Sequence, residues 1–268
     1  MRYASGTMKR SEWARRTERA ERLAGRLAYA AEILTLYAEV LKLQGSIYDE
    51  VAPRTAGAAQ PEIEFRQRLG ARDAMRHLPA LLALAEEKGT AKLAEDAGRI
   101  RALADEQQLE ILEAFLSGEM PEAFFPRAIM QPYAEALAQS LPAATPQTTP
   151  SVCPRCNGRP QAAVLRPEGE GGKRFLVCWF CLTEWEFRRI LCPVCGEEDY
   201  RKLPRYSVED ELAVRVEACD SCHFYLKSID MTVDGLAVPV VDEVASVPLD
   251  LWAAEHGYKK VVPNLMGF

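Results

Sequence analysis

The chain has 268 residues, 48% hydrophobic and 27% charged, and its 33 Lys and Arg against 39 Asp and Glu give a formal net charge of −6. That length carries a prior of about two domains with room for a sizeable core, and the acidic balance sets the molecule as a whole against nucleic acid and anionic lipid. No uncharged apolar run approaches the ~18 residues of a membrane span and the opening residues hold no apolar leader, so the expected compartment is the reducing cytoplasm, where close cysteines act as metal ligands or redox groups rather than disulfides.

The first predicted element is an amphipathic helix of about thirty residues, capped near Ser11-Glu12. Leu23, Leu27, Ala30, Leu34, Tyr37 and Leu41 recur at helical spacing on one face, opposite Arg19, Arg22, Arg26, Glu32 and Glu39. Pro53 to Pro61 reads as a loop. The next stretch, to Gly89, is helical with an interruption at Pro79, which lacks an N–H and starts a helix more readily than it continues one. Gly89 serves as a C-cap. Thr90 caps a third helix that keeps its period through Leu93, Ala97, Ile100, Ala104, Ile111 and Phe115 to Gly118. A fourth, from Pro121, carries Phe124, Phe125, Ile129, Tyr133 and Leu137. These stripes are core faces of one all-α domain. His77 reads as a core or surface residue, and the absence of a Glu-x-x-His pair leaves a di-metal bundle unsupported.

The run from Leu141 to Pro150, rich in proline and threonine, is a linker. All eight cysteines follow it, as four Cys-x-x-Cys pairs: Cys153/Cys156, Cys178/Cys181, Cys192/Cys195 and Cys219/Cys222. The gaps between pairs are 21, 10 and 23 residues, so two units of four-thiolate metal-site spacing stand end to end. They form an internal repeat at offsets of 39 and 41 residues. In each, a Cys-Pro-x-Cys turn points backbone N–H groups at sulfur, and Asn157 or Gly196 tolerates the positive φ that follows. Hairpins of Ala163–Leu165 with Lys173–Val177, and of Arg201–Tyr206 with Leu212–Val216, bring the turns together. Four thiolates suit zinc or iron, and the spacing does not choose between them. Such closed sites leave no coordination position for a substrate, so no enzymatic activity is indicated. The competing readings are Cys-x-x-Cys thiol-disulfide chemistry and a nucleic-acid-binding zinc ribbon. The second draws on Lys173, Arg174, Arg188, Arg189, Arg201, Lys202 and Arg205, otherwise a solvated rim. Trp179 and Phe180, if exposed, suit a protein contact. His223 is surplus to two complete cysteine sets.

In the tail, Asp234-Gly235 turns the chain, Leu236 to Val241 reads as a strand, and Pro248 starts a short helix that Gly257 ends. Asp242, Glu243 and Asp250 read as a solvated face. The expected fold class is therefore α+β and multidomain: an all-α domain over 1–145, four-cysteine ribbons over 146–190 and 191–230, and a tail over 231–268 whose short helix packs on the ribbons.

The segment from Phe175 through Cys178-Trp-Phe-Cys181-Leu-Thr183-Glu184-Trp185 to Arg189 and Cys192-Pro-Val-Cys195-Gly196 resembles the signature of the FdhE family of formate dehydrogenase accessory proteins. Glu217 to Asp230, Pro248 to Tyr258 and Arg19-Ala-Glu-Arg22-Leu23 extend the resemblance. Ala30 to Leu34 departs from it, standing where relatives usually have a proline-containing break. The resemblance implies two rubredoxin-like metal domains behind a helical one, iron in the cysteine sites, and a cytoplasmic role in maturing molybdenum-dependent formate dehydrogenase, with that enzyme's catalytic subunit as the partner. All eight cysteines carry over as ligands. Thr183, Glu184, Trp185 and Arg189 carry over as motif residues and are the candidates for partner contact.

Overall fold

In the computed structural model the described residues are 5–55, 64–119, 123–142, 150–169, 171–207 and 213–268. Residues 143–149 of the expected linker, the Pro61 and Pro121 helix starts, Leu212 and the boundary at 145 lie outside them. The chain divides into two compact units, one of residues 1–21 and 32–142 and one of residues 22–31 and 143–268. No helix among the described residues is long and apolar enough to cross a membrane.

The helices begin with α1 (Ser5–Arg26), already under way before Ser11, and α2 (Ala31–Thr55), which runs on through Pro53. The long amphipathic helix expected from the stripe is thus two helices. Leu27 adopts an extended backbone (φ −108, ψ 92) and Ala28–Ala30 form a 3-10 turn. Leu23, Leu27, Ala30 and Leu34 are buried on both sides of this break, so the stripe reports burial correctly while no local residue announces the bend. After a short α3 (Ala71–Ala74), α4 (Leu78–Lys88) carries Pro79 in its first turn and α5 (Ala91–Arg101) is capped by Thr90, whose Oγ1 accepts from Leu93 N at 3.3 Å. The expected third helix also divides. α6 (Asp105–Ser117) starts afresh, with the Gln107 side chain accepting from Ala104 N, and ends at Gly118 in the left-handed conformation (φ 90). The predicted stripe does not carry through this break: Ala104 is exposed, and α6 buries Leu109, Leu112 and Phe115.

The centre of the helical unit is α7 (Phe124–Ser140), buried on every side from Phe125 to Ala138 and packed against α3, α4 and α6. Pro132 interrupts its ladder, because the missing N–H leaves the carbonyl of Ala128 without its intrahelical donor. Gln44 on α2 supplies one, Nε2 to Ala128 O at 2.9 Å. Glu135, also buried, takes two hydrogen bonds from Arg16 at 2.8 and 2.9 Å.

The sheet of the second unit joins the two cysteine repeats. Its strands are β1 (Pro160–Glu168), β2 (Gly171–Cys178), β3 (Glu184–Glu186), β4 (Arg205–Tyr206), β5 (Val214–Ala218), β6 (Phe224–Asp230) and β7 (Lys259–Lys260). The order is β3-β2-β1-β6-β5-β4, with β7 also on β6. Each repeat contributes an antiparallel trio, and the first strand of one lies parallel to the last strand of the other, Val164 opposite Ile229. The expected hairpins are β1/β2 and β4/β5, the latter with Tyr200–Lys202 as a 3-10 turn instead of strand. The third strand of each trio was not expected. The apolar run Ala162 to Leu165 occupies the middle of the sheet, where both faces are covered.

The tail corrects two expectations. Leu236 to Val241 is not a strand: Pro239 opens α8 (Pro239–Ala245), and the carboxylate of Asp242 accepts from Val238 N at 2.8 Å. A valine-rich run reads as strand by propensity, but here α8 packs on β1 and β6, and proline at the first helical position sets the backbone. The acids of this region are not a solvated face either. Glu243 on α8 and Asp250 on α9 (Val247–Glu255) are buried with Lys227 and Lys260, whose ammonium groups pair with both. Gly257 ends α9 at φ 81.

Candidate metal centres

Each Cys-x-x-Cys forms the same knuckle. The N–H of its first cysteine donates to the carbonyl five residues on: Cys153 to Gly158, Cys178 to Thr183, Cys192 to Glu197 and Cys219 to Phe224, at 2.8 to 3.0 Å. The residue after its second cysteine lies at positive φ: Asn157 (56), Leu182 (54), Gly196 (78) and His223 (58). Asn157 and Gly196 were legible as such positions. Leu182 was not, because a leucine side chain does not favour that region, and His223 was read only as surplus to the ligand sets. His223 therefore completes a turn.

These knuckles gather the eight sulfurs into two groups, Cys153/Cys156/Cys178/Cys181 and Cys192/Cys195/Cys219/Cys222, each with its sulfurs within 4.8 Å of one another. The short contacts run between knuckles: Cys153 to Cys181 at 3.5 Å, Cys156 to Cys178 at 3.4 Å, Cys192 to Cys222 at 3.7 Å and Cys195 to Cys219 at 3.6 Å. An ion bonded tetrahedrally to four sulfurs at ~2.3 Å spaces them ~3.8 Å apart, so the cages fit an ion of that kind with little adjustment. N–H groups of Arg155, Phe180 and Val194 point at the sulfurs of Cys153, Cys178 and Cys192, each at 3.4 Å, which disperses thiolate charge. All four sulfurs of a set are free thiols that one ion can bind.

The two sets differ in exposure. All four cysteines of the first are buried, whereas in the second Cys195 is exposed and Cys222 half-buried. In the first set, hydrogen bonds from the thiols of Cys156, Cys178 and Cys181 hold Cys153 far below the usual thiol range, while burial pushes Cys178 and Cys181 up. In the second, burial raises Cys219 and Cys222; at Cys195 burial is outweighed by the N–H of Glu197 and by the neighbouring thiols, and its thiol is lowered. Each set thus presents one thiol shifted toward thiolate, the metal-binding form.

The segment between the sets is built into the first. Thr183 Oγ1 lies 3.2 Å from Cys181 Sγ. Glu184 takes two hydrogen bonds from Arg166, at 2.7 and 2.6 Å, and the buried Trp185 donates Nε1 to Pro150 O at 2.8 Å. Arg189 is exposed and spends one N–H on the carbonyl of Gly172. Trp179 and Phe180, candidates for a protein contact only if exposed, are buried with ring centroids 5.4 Å apart. Of the basic cluster, Lys173 pairs with Glu186, Arg174 with Glu217, Arg188 with Glu198, Arg201 with Asp199 and Lys202 with Glu197. Five of its seven charges are therefore offset locally.

Fold and sites together define a protein with a helical unit and a sheet unit bearing two four-thiolate centres, able to hold two metal ions. Residues 152–189 match the FdhE central domain and residues 190–266 the FdhE C-terminal domain. The chain is 29% identical over 252 residues to the FdhE homologue of Aquifex aeolicus, covering 88% of this chain and 89% of that one. It is 37% identical over 123 residues to the homologue of Pseudomonas aeruginosa, covering 43% and 39%. The crystal structure of the FdhE protein from Pseudomonas aeruginosa superposes with a TM-score of 0.76 at 28% identity, over 96% of both chains. In sequence and in fold the chain is FdhE-like.

Proposed function

We propose that this protein is a cytoplasmic, non-catalytic accessory factor that binds the catalytic subunit of a molybdenum-dependent formate dehydrogenase and assists its maturation. The observation that carries the reading is the unbroken FdhE match across both cysteine centres, residues 152–266. Closed four-thiolate sites agree with it, because they stabilise a surface or carry an electron but offer no open position to a substrate. In this reading zinc makes the centres scaffolds and iron makes them redox centres. Thr183, Glu184 and Trp185 shape the wall of the first centre, and Arg189, the exposed member of that segment, meets the client.

The nucleic-acid alternative loses its footing where the basic residues pair with carboxylates. Thiol-disulfide exchange gains nothing from short sulfur contacts that run between motifs instead of within them. Co-purification of the catalytic subunit with tagged wild-type, Cys178→Ser/Cys181→Ser and Arg189→Glu chains tests the proposal. The cysteine variant is expected to lose the client. Arg189→Glu, which spares every ligand, is expected to weaken capture about tenfold. Undiminished recovery with both variants would contradict the reading.

A further inference from the structure

Beside the second centre lies a small open pocket of about 30 Å³, whose lining includes Cys192 and Cys219 together with Arg174, Arg189 and Arg205. Arg174 is already committed: it is buried, pairs with Glu217 at 2.7 Å and donates to the carbonyl of Arg188 at 3.0 Å. Its Nε, also buried, has no hydrogen-bond partner among the described residues. Among the described residues, Arg189 and Arg205 are the two members of the basic cluster without a close carboxylate. Arg189 donates to the carbonyl of Gly172, Arg205 donates to the carbonyl of Arg189, and Arg205 reaches Glu217 only at 4.0 Å. A guanidinium has five N–H donors, so most of those on this pair remain unspent.

We infer that this pocket is a binding site for a carboxylate group, held by the forks of Arg189 and Arg205. The planar fork of an arginine matches a carboxylate through two parallel hydrogen bonds, a geometry that a lysine does not reproduce. A polyanion such as nucleic acid fits poorly, because the pocket is concave and Glu217 lies in its wall. A divalent ion held by four thiolates would leave the second centre net negative, which opposes every anion and weakens the field of the arginines, so binding depends on their directional donors. Selectivity then rests on hydrogen-bond geometry. Two sources present this chemistry, a free small carboxylate and an acidic side chain of a protein segment. The inference stands on the arginines and the pocket, and does not require the formate dehydrogenase reading.

The test is an amide NMR titration of the full metal-loaded chain with sodium acetate and, separately, with an acetylated tri-glutamate amide, chloride being exchanged to hold ionic strength constant. Saturable shifts are expected at Leu191, Val194, Phe224 and Val261, which line the pocket. Arg189→Gln/Arg205→Gln should weaken both ligands by about tenfold or more, while retaining two bound ions and wild-type spectra elsewhere. Arg189→Lys/Arg205→Lys, which keeps the charge and removes the forks, should also weaken binding. Arg101→Gln, in the helical unit, should not. Tighter binding of the peptide assigns the site to a protein segment, and equal affinity assigns it to a small carboxylate; both support the site. No saturable shift up to about 50 mM acetate, or undiminished binding in the glutamine variant, overturns it.

Discussion

At the residue scale, Gly158 shows how tightly the first centre is fitted. A Cβ there would lie 2.8 Å from Cys178 Sγ, 3.0 Å from Trp179 Nε1 and 3.1 Å from Cys156 Sγ. Two ligand sulfurs cannot withdraw without leaving the cage, so Gly158→Ala is expected to lower metal occupancy at the first centre and spare the second; metal analysis finding two full sites in the variant would contradict this. Glu243 illustrates the opposite case, a charge that composition places on the surface. Its carboxyl is pushed up by burial, yet Lys227 and Lys260 hold it below the ordinary value of 4.5. A carboxylate depressed on folding contributes stability that is present above its unfolded value and lost as pH falls through the folded one. Lys227→Met should therefore cost about 3 to 5 kcal/mol at neutral pH. The gap from wild type should narrow on acidification below about pH 4.5 as Glu243 protonates in both proteins. Urea unfolding of the two chains side by side checks this, and a gap independent of pH would count against it. Nothing near Asp242, Glu243 and Asp250 in the sequence reveals Lys227 and Lys260 as partners, since only the folded chain brings strand and helix together.

At the element scale, the knuckle explains why the cysteine region was readable and the rest less so. Its two-residue gap is a local rule, and sulfur geometry at both centres follows from it. The strand trios depend partly on pairing across the repeat, and the parallel contact of β1 with β6 joins residues more than sixty positions apart. No local pattern encodes such a contact. The break at Leu27 was hidden for a related reason: an apolar stripe registers which face is buried, and it stays in phase across a short bend, whereas after Arg101 the exposed Ala104 departs from the predicted stripe. The same knuckle in two environments yields a kinetic prediction. A chelator in excess should remove the ion of the second centre first, because Cys195 is exposed and the four cysteines of the first centre are buried. Biphasic release is expected, with the fast phase abolished by Cys195→Ser/Cys222→Ser. A fast phase that survives in that variant would reverse the assignment.

On the scale of the whole molecule, the chain pairs a helical unit that needs no metal with a sheet unit built around two metal cages. A structural four-thiolate site contributes about 10 to 16 kcal/mol in small zinc domains, as much as the whole stability of an ordinary domain, about 5 to 15 kcal/mol. Two ions are thus the largest single contribution available to the sheet unit, and the client surface proposed for it depends on them. The most direct measurement is native mass spectrometry of the full chain purified anaerobically without chelator. The account predicts the intact mass plus two metal ions, whose masses name iron or zinc, and one ion in Cys178→Ser/Cys181→Ser. A bare chain, or a mass lowered by disulfide formation in place of bound metal, would contradict it.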